Sequence, residues 1–254
     1  MLDITSLCRN FGGLPALSEV SFSLQRGRVT ALIGPNGAGK TTMINCITGA
    51  DQPDAGRVDF DGEEITGLPA YRVARLGIAR TFQNLRLFPR LSVLDNVLCG
   101  LTVQAGQSML GALLRPPSVR NRERRLRLKA MAALDRFGLT ELADWPVGVL
   151  AYGDRKRVEL ARAVVSDPSL ILLDEPVAGL NHEETTAVGN EIRALRAQGY
   201  TLLLVEHDMD LVMAVSDHVV VLDGGRCIAS GTPDEVRLNP LVLEAYLGRT
   251  IATA

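Results

Sequence analysis

The stretch GPNGAGKTT, from Gly34 to Thr42, follows the apolar run VTALI (Val29 to Ile33) and precedes a segment of helical period. It satisfies the pattern G-x-x-x-x-G-K-[ST], and a strand before it and a helix after it are the context that gives this pattern meaning. Its glycines let the backbone curl so that successive N–H groups converge, while the helix starting near Lys40 adds the positive end of its dipole. Convergent amides beside a lysine charge predict a phosphate-binding site, with the Thr41 hydroxyl suited to Mg²⁺.

A phosphate-binding loop does not determine which base the bound nucleotide carries. Guanine-specific small GTPases carry an N-K-x-D motif, and none of the three lysines, Lys40, Lys129 and Lys156, stands in such a context. Guanine specificity is therefore disfavoured. Phe11, 29 residues before Lys40, could stack on an adenine face. An ordinary core or edge phenylalanine explains Phe11 equally well at this point.

Short apolar runs alternate with longer helix-period segments through most of the chain, which predicts an α/β fold with a parallel sheet and helices on its faces. The expected elements are strands at Val29–Ile33, Leu170–Leu173, Thr201–Val205 and Val219–Leu222, with helices at Thr41–Thr48 and Glu183–Ala197. Ahead of them, the runs Leu2–Arg9, Leu17–Leu24 and Arg57–Phe60, the last closed by the turn pair Asp61-Gly62, predict an antiparallel sheet.

Strand signals disappear in the middle third, between Asn84 and Asp167. From Arg120 to Phe137 apolar residues recur at helical spacing, namely Leu126, Ala130, Ala133, Leu134 and Phe137. The glycines and prolines around Gly106 to Pro117 indicate a loop. The middle third is therefore predicted to be a helical lobe inserted into the α/β body.

Composition restricts the class of protein. The chain has 254 residues, 46% hydrophobic and 22% charged, which fits one large packed domain. Its 27 Lys+Arg against 29 Asp+Glu give a net charge of −2, so no overall polycation is present to hold nucleic acid. The scattered cysteines, without a C-x-x-C pair, predict free thiols in a reducing compartment. No signal pattern and no apolar run of about 20 residues is found, so a cytosolic location is expected.

Two acids follow the apolar run Leu170–Leu173. Charges at the end of a buried strand are costly unless a cation or a substrate meets them. Because neighbouring strand side chains point in opposite directions, Asp174 is expected to face the Mg²⁺ water shell and Glu175 the attacking water, as general base. His207 likewise follows a predicted parallel strand, where sheet-end ligand sites are built. Gln83 is uninformative by itself.

The segment Leu150-Ala-Tyr-Gly-Asp-Arg-Lys156 resembles the L-S-G-G-Q signature of ABC-type ATPases. The phosphate loop, Gln83, this signature, the acid pair, Ala178-Gly-Leu-Asn181 and His207 follow in that family's order and cover nearly the whole chain. The resemblance implies a P-loop NTPase core with a parallel sheet, an N-terminal antiparallel β subdomain and an inserted helical subdomain. It implies one ABC ATPase domain over 1–254, with the α/β core and β subdomain at 1–83 and 168–235, the helical subdomain at 84–167, and a C-terminal helical tail at 236–254.

The same resemblance implies ATP and Mg²⁺ as cofactors and assigns roles to residues. Glu175, His207 and Gln83 are catalytic, with His207 on the γ-phosphate, and Thr41, Gln83 and Asp174 hold the metal. Phe11 contacts adenine, and the loop residues Gly34, Pro35, Asn36, Gly37, Ala38, Gly39, Lys40, Thr41 and Thr42 hold the phosphates. The signature residues Ala151, Tyr152, Gly153 and Asp154 contact ATP bound to the opposite subunit. The helix expected at Asp154 to Val165, started by Gly153, would present its N-terminal amides there.

Three positions depart from the family pattern. Ala151 stands where the signature has Ser, Tyr152 where it has Gly, and Asn181 where Asp is usual. Loss of the Ser hydroxyl removes one donor to the γ-phosphate, whereas the backbone N–H groups remain available.

Within the family, the chain is similar to the longer ATPase subunit of branched-chain amino-acid importers. The segments NFGGLPAL (Asn10 to Leu17), AYGD, AGLN, EHDM (Glu206 to Met209), AYLG (Ala245 to Gly248) and the extended region near Val103 to Leu128 carry this likeness. It implies membrane-spanning permease subunits, a second ATPase subunit (self or paralogue) and, indirectly, a periplasmic or extracellular solute-binding protein as partners, and no nucleic acid. The implied location is the cytoplasmic face of a bacterial inner (plasma) membrane.

Other members of the family remain alternatives. Urea-import and lipopolysaccharide-export ATPases are similar enough to remain alternative functions for this chain. A soluble ABC ATPase acting on ribosomes or DNA is disfavoured, because this chain has neither two ATPase domains nor a long heptad coiled coil.

A basic segment runs from Arg115 to Lys129, with Glu123 as its one acid. It is either the solvated face of an amphipathic helix or a contact for anionic lipid headgroups or a membrane partner.

Overall fold

A computed structural model describes residues 1–83, 85–102 and 117–247. Several sequence-based predictions fall wholly or partly outside these residues: the boundary at Asn84, the loop around Gly106, the extended region from Val103, the start of the basic segment at Arg115, and the chain beyond 247. Contacts divide the chain into two units, the first formed by Met1–Val73 and the part from Leu172 onward, the second by Ala74–Ile171.

The elements are, in chain order, β1 (Leu2–Phe11), β2 (Leu14–Leu24), β3 (Val29–Ile33), α1 (Lys40–Ile47), β4 (Ala55–Phe60), β5 (Glu63–Glu64), α2 (Ala70–Arg75), β6 (Ile78–Arg80) and α3 (Val93–Cys99). After the undescribed stretch come α4 (Pro117–Arg136), 3₁₀ turns at Thr140–Leu142 and Val147–Val149, α5 (Tyr152–Val164), β7 (Leu170–Asp174), α6 (His182–Ala197), β8 (Thr201–Val205), α7 (Met209–Val215), β9 (His218–Asp223), β10 (Arg226–Gly231), α8 (Pro233–Arg237) and α9 (Pro240–Leu247).

The antiparallel sheet of the first unit has the order β2-β1-β4-β5. Leu2 of β1 is paired with Leu24 of β2 on one side and with Phe60 of β4 on the other. All three are buried, so one apolar face of this sheet contributes to the core. The three N-terminal strands expected from the sequence are confirmed, and β1 and β2 extend toward each other as far as Phe11 and Leu14.

The second sheet of this unit is mostly parallel, in the order β10-β9-β3-β8-β7. Strand β3 lies parallel to both β8 and β9, and β10 returns antiparallel to β9. Every residue of β3, β7 and β8 is buried, as expected for parallel strands covered on both faces. The parallel strands expected from the apolar runs are therefore confirmed. Because Leu32 is paired with Val205, Gly34 and His207 follow their strands at the same edge of the sheet.

The C-terminal helices pack on this sheet. Val236 of α8 and Val242 of α9 belong to one buried cluster with Ala31 and Ile33 of β3. The same cluster includes Val212 of α7 and residues of β9. Burial of these branched side chains fixes the strand that leads directly into the phosphate loop.

The second unit combines β6 with α3, α4 and α5. Strand β6 lies beside the start of β7, where the N–H groups of Ser169 and Leu170 donate to the Gly77 carbonyl at 2.8 and 3.1 Å. The three helices contact one another. A Cβ at Gly100, just after α3, would lie 2.3 Å from the Arg162 carbonyl of α5, so this close approach requires a glycine.

Helix α4 confirms the helix expected in the middle third, although it begins at Pro117 rather than at Arg120. Of the five apolar residues at helical spacing, Ala130, Ala133, Leu134 and Phe137 are buried and Leu126 is half-buried. The basic residues Arg120, Arg124, Arg125, Arg127 and Lys129 are exposed. Both interpretations of the basic segment require exposed basic side chains, so this exposure is consistent with either.

Helix α5 corrects one expectation. It begins at Tyr152, with Ala151 as its N-cap, and ends at Val164, whereas Asp154 to Val165 was expected. The first helical hydrogen bond runs from the Arg155 N–H to the Ala151 carbonyl at 3.1 Å. Tyr152 and Gly153 therefore lie inside the first turn rather than before it. The short elements β5, α2, β6, α3, α7 and β10 were not predicted.

All four cysteines are free, as their scattered spacing predicted. Among the described residues, no helix combines the length and the apolar character that crossing a membrane requires.

Candidate nucleotide site

The glycine-rich loop after β3 is held by close backbone contacts. Gly34, Gly37 and Gly39 have φ of +148°, +80° and +101°, a region that L-residues rarely adopt. A Cβ at Gly34 would lie 2.0 Å from the Leu222 carbonyl, and one at Gly39 would lie 2.5 Å from the Ala16 carbonyl. Gly39 is also the N-cap of α1, with no capping side-chain hydrogen bond. The first amides of α1 are thus left to a ligand, as an anion site requires.

Lys40 is buried within this loop. Its ammonium group donates to the carbonyls of Gly34 at 2.7 Å and Pro35 at 3.0 Å. Burial lowers the pKa of Lys40, and the charges of Glu175 and Asp174 oppose that shift. The two acids after β7 therefore lie within electrostatic range of the loop lysine, as the sequence argument expected of neighbouring sheet ends.

The expected Mg²⁺ ligands in the first unit are one hydroxyl and one carboxylate. Thr41 is exposed in the first turn of α1, and Asp174 is buried at the end of β7. Within the described part of the chain, no three His, Cys, Asp or Glu side chains form a cluster that could hold a metal ion. Mg²⁺ prefers few protein oxygens, with water and phosphate oxygens completing its shell. A hydroxyl and a carboxylate beside a phosphate loop fit Mg²⁺ better than they fit a metal held by protein alone.

Glu175 lies outside β7, and its backbone corrects the alternation argument. The strand ends at Asp174, and Glu175 has φ +47°, in the left-handed region. Its N–H donates to the Val205 carbonyl of β8 at 2.9 Å, and its carbonyl accepts from the Ala178 N–H at 3.2 Å. The direction of the Glu175 side chain is therefore set by a strained turn rather than by strand pleating, and strain of this kind concentrates at functional sites.

Glu206 is a site residue that the sequence analysis missed. It is 0% exposed, and its carboxylate accepts from the Val177 N–H at 3.1 Å and the His207 N–H at 3.0 Å. Burial raises the pKa of Glu206, against the opposing effect of these amides. Its carboxylate links the segment after Glu175 to His207. The imidazole of His207 is exposed, with Nδ1 3.7 Å from the Glu206 carboxylate.

The raised pKa of Glu206 predicts a pH-dependent stability. A carboxyl group whose pKa is higher in the folded than in the unfolded state contributes fully below the unfolded value, about 4.3, and loses that contribution as pH rises through the folded value. The amide side chain of a Glu206→Gln variant does not titrate. The free energy of unfolding of the wild type relative to this variant should therefore fall as pH rises above about 4.3. Urea unfolding at several pH values measures this difference, and a difference that grew with pH would contradict the burial argument.

Phe11 lies at the end of the β1–β2 hairpin. Phe11 is paired with Leu14, and the Ala16 carbonyl two residues further along β2 faces Gly39 of the phosphate loop. The Phe11 ring is half exposed, with the Arg9 guanidinium 4.7 Å from its centroid. A half-exposed ring is not a core residue, and its contact with adenine stays a prediction.

Tyr246 is a second contact to the loop that the sequence did not reveal. Burial raises the pKa of Tyr246, and the backbone N–H of Gly34, which hydrogen-bonds its hydroxyl, lowers it. Val242, one turn earlier on α9, packs in the same cluster as Ile33. Helix α9 therefore packs beside the junction between β3 and the phosphate loop.

Gln83 and the signature residues belong to the second unit. Gln83 is exposed in the irregular segment after β6. Ala151 is exposed and makes no side-chain capping bond, so the first amides of α5 have no side-chain acceptor at the N-cap. The Asp154 carboxylate forms an ion pair with Arg157 one turn along. The Tyr152 ring lies 5.8 Å from the Lys156 ammonium and 6.0 Å from the Arg155 guanidinium.

Asn181, the third departure from the family pattern, is the N-cap of α6. Its side chain accepts from the Glu184 N–H at 2.9 Å, and the Glu184 carboxylate accepts from the Asn181 N–H at 2.9 Å. Asn and Asp can both make this capping box. Asn181 in place of Asp therefore preserves the start of α6.

Comparison with known proteins agrees with this geometry. The sequence profile of the ABC transporter family matches residues 17–178, and the profile described as branched-chain amino acid ATP-binding cassette transporter matches residues 226–252. The high-affinity branched-chain amino acid transport ATP-binding protein BraF of Pseudomonas aeruginosa is 44% identical over 249 residues, 98% of both chains. The corresponding protein LivG of Salmonella typhimurium is 43% identical over the same share of both chains.

A solved structure supports the fold directly. The crystal structure of a nucleotide-free ATP-binding cassette from an ABC transporter superposes with a TM-score of 0.85 at 35% identity, covering 98% of this chain and 99% of the other. The expected α/β fold of an ABC ATPase is confirmed. The chain therefore belongs to the ABC transporter family, as one of its ATP-binding ATPases.

Proposed function

We propose that this chain is the ATP-hydrolysing subunit of an ABC importer for branched-chain amino acids, and that ATP-dependent dimerisation drives transport. One observation carries the ATPase part: the glycine loop with Lys40, the acids Asp174 and Glu175, and His207 all lie at the ends of strands of one mostly parallel sheet within the first unit. The similarity to BraF and LivG over 98% of the chain supports the amino-acid substrate.

ATP binding is assigned to the loop and to the hairpin end beside it. Backbone N–H groups from Gly34 to Thr42 would receive the phosphate oxygens, because the positive-φ glycines turn successive amides toward one point. Lys40 is already oriented by two loop carbonyls and would place its charge at the β and γ phosphates. Phe11 would stack on adenine.

The residues present fit Mg²⁺. Thr41, Asp174 and Gln83 would hold it through one hydroxyl, one carboxylate and one amide oxygen, with water completing the shell. Bound there, the ion supplies positive charge to phosphate oxygens.

Hydrolysis is assigned to Glu175 as general base and to His207 as a γ-phosphate contact. Glu175 would accept a proton from the attacking water, a role that needs an ionised carboxylate held in one direction. The turn at φ +47° and the hydrogen bond to Val205 provide that direction. Glu206 fixes the backbone of His207, so the imidazole projects from a rigid support.

The second ATPase subunit, a second copy or a paralogue, is proposed because each chain carries one phosphate loop and one signature. The amides at the start of α5, with Ala151, Tyr152, Gly153 and Asp154, would meet the γ-phosphate of ATP bound to the partner. Two such sites fit a two-fold, head-to-tail dimer.

The proposed partners and location follow from the proposed importer function. Membrane-spanning permease subunits are the direct partners and a periplasmic or extracellular solute-binding protein an indirect one, with no nucleic acid. The chain would act at the cytoplasmic face of a bacterial inner (plasma) membrane. We retain the domain division 1–83 with 168–235, 84–167 and 236–254 as part of the same proposal.

The test uses the complex purified with its permease subunits in lipid nanodiscs. Steady-state phosphate release is measured with solute-binding protein loaded with leucine, loaded with urea, or empty. Stimulation by the leucine-loaded protein alone is expected. Stimulation by urea alone would indicate a urea importer instead, and a rate that responds only to nucleic acid would overturn the transport function.

A further inference from the structure

Glu159 is a buried carboxylate in the middle of α5 that the proposed mechanism does not use. It is 2% exposed, and its carboxylate accepts from the Phe82 N–H at 3.2 Å. Burial raises the pKa of Glu159, whereas the backbone of Phe82 lowers it. Phe82 and Arg86 stand on either side of Gln83 in the sequence, so the bond from Phe82 places Glu159 against the backbone next to this glutamine.

Arg162, one turn further along α5, binds the same segment through its guanidinium group. That group donates to the Arg86 carbonyl at 2.6 Å and lies 3.7 Å from the Glu159 carboxylate. Two residues of one helix thus bind this segment, Glu159 at the Phe82 N–H and Arg162 at the Arg86 carbonyl. Glu159 and Arg162 are together called the α5 clamp below.

The side chain of Phe82 is also fixed. The guanidinium groups of Arg80 and Arg86 lie 5.0 and 4.6 Å from its ring centroid, within the range of cation–π attraction. The backbone around Gln83 belongs to no helix or strand among the described residues from Thr81 to Arg90. These side-chain contacts therefore help to fix its position.

A buried ion pair is a poor means of stabilising a fold. Burial raises the pKa of Glu159 and lowers that of Arg162, and each charge acts against the shift of the other. Apolar residues of similar size often replace such pairs at no cost in stability, whereas removal of one partner leaves the other charge without a counter-charge. The α5 clamp is thus better explained by the segment that it orders than by the stability that it adds.

Helix α5 begins at the signature, so the clamp joins two ATP-contacting features of the second unit. We propose that Glu159 and Arg162 are positioning residues that fix the Gln83 segment to the signature helix, so that Gln83 and the signature move as one body. The inference rests on the proposed function, in which Gln83 serves the ATP of its own chain and the signature serves the ATP of the partner. The clamp would then link the two ATP sites of the dimer through one helix.

The test replaces the pair with apolar residues of similar length, Glu159→Met with Arg162→Met, and compares it with Glu159→Met alone. The single variant removes the carboxylate from beside the Arg162 guanidinium, whose side chain is only 15% exposed, and should unfold at lower temperature than the wild type. The double variant should recover that loss, because no buried charge remains. Glu141→Gln is the matched control, since Glu141 is an exposed carboxylate of the same unit.

Two measurements on the double variant address positioning rather than stability. Hydrogen exchange of the peptide containing Phe82 to Arg86 should be faster than in the wild type. In the nanodisc complex, ATP turnover stimulated by leucine-loaded binding protein should fall about tenfold, within the range for residues that couple sites. The dissociation constant of ATP should stay within about twofold, because the phosphate loop is untouched.

The outcomes separate the inference from the function on which it rests. Wild-type exchange in the double variant would overturn the clamp, and so would fast exchange accompanied by undiminished stimulation and a wild-type Hill coefficient for ATP. A wild-type complex without any stimulation would instead overturn the importer function, and the exchange measurement would still decide whether the clamp orders the Gln83 segment.

Discussion

A Glu175→Gln variant should lose ATP turnover while it still binds ATP. Glutamine has the size of glutamate and can occupy the same left-handed turn, but it cannot accept the proton of the attacking water. A positioned general base contributes about 10²- to 10⁴-fold to a rate, so phosphate release should fall by at least about 10²-fold. The ATP dissociation constant from isothermal titration should change little. Because ATP then persists at the interface, the ATP-bound dimer should become more stable, which light scattering can follow.

The control is Glu183→Gln, which removes an exposed carboxylate from the first turn of α6. It should leave turnover and dimerisation unchanged. If Glu175→Gln hydrolysed ATP at the wild-type rate, another group would be the base. If the variant failed to bind ATP, Glu175 would be acting on nucleotide affinity rather than on the chemical step.

The positions of the site residues were more predictable than their orientations. Buried parallel strands appear in a sequence as unbroken apolar runs, so the loop, Asp174 and His207 could be placed at strand ends from the sequence. The backbone of Glu175 could not, because pleating predicts an alternation that a residue at φ +47° does not follow. Pro176 disfavours the right-handed helical region for the residue before it, but it does not specify the left-handed one.

Glu206 could have been found. It follows the apolar strand Thr201–Val205 in the same way that Asp174 follows Leu170–Leu173. The argument that a charge at the end of a buried strand needs a reason applies equally to both. For Glu206 that reason is the pair of backbone amides of Val177 and His207, which only the folded chain brings together.

Short elements of the second unit gave no periodic signal. Strand β6 has three residues and α3 has seven, too few to establish a period. Helix α5 starts at an alanine N-cap without a capping side chain, so no Ser, Thr, Asp or Asn marked its first turn. The α5 clamp could not be predicted for a different reason, since Glu159 and Phe82 are 77 residues apart.

Gly34→Ala should abolish ATP binding and destabilise the fold. The added Cβ would lie 2.0 Å from the Leu222 carbonyl and 3.1 Å from the Ala38 Cβ. The first contact is with the backbone of a buried strand, so it cannot be relieved by a side-chain rotation. The strand–loop junction must shift instead, and the loop amides and Lys40 would no longer converge. We expect a loss of about 4 kcal/mol or more in the free energy of unfolding, the scale of severe single substitutions.

Gly62→Ala is the control for a positive backbone φ. Gly62 has φ +85° in an exposed turn, and no atom would lie within 4 Å of its added Cβ. It should therefore show only the cost of the left-handed conformation, about 1 to 2 kcal/mol, with ATP binding unchanged. Urea unfolding and isothermal titration of both variants separate the two causes. Equal losses of stability would mean that the approach of Leu222 adds no cost beyond that of a positive φ, which would contradict the steric argument.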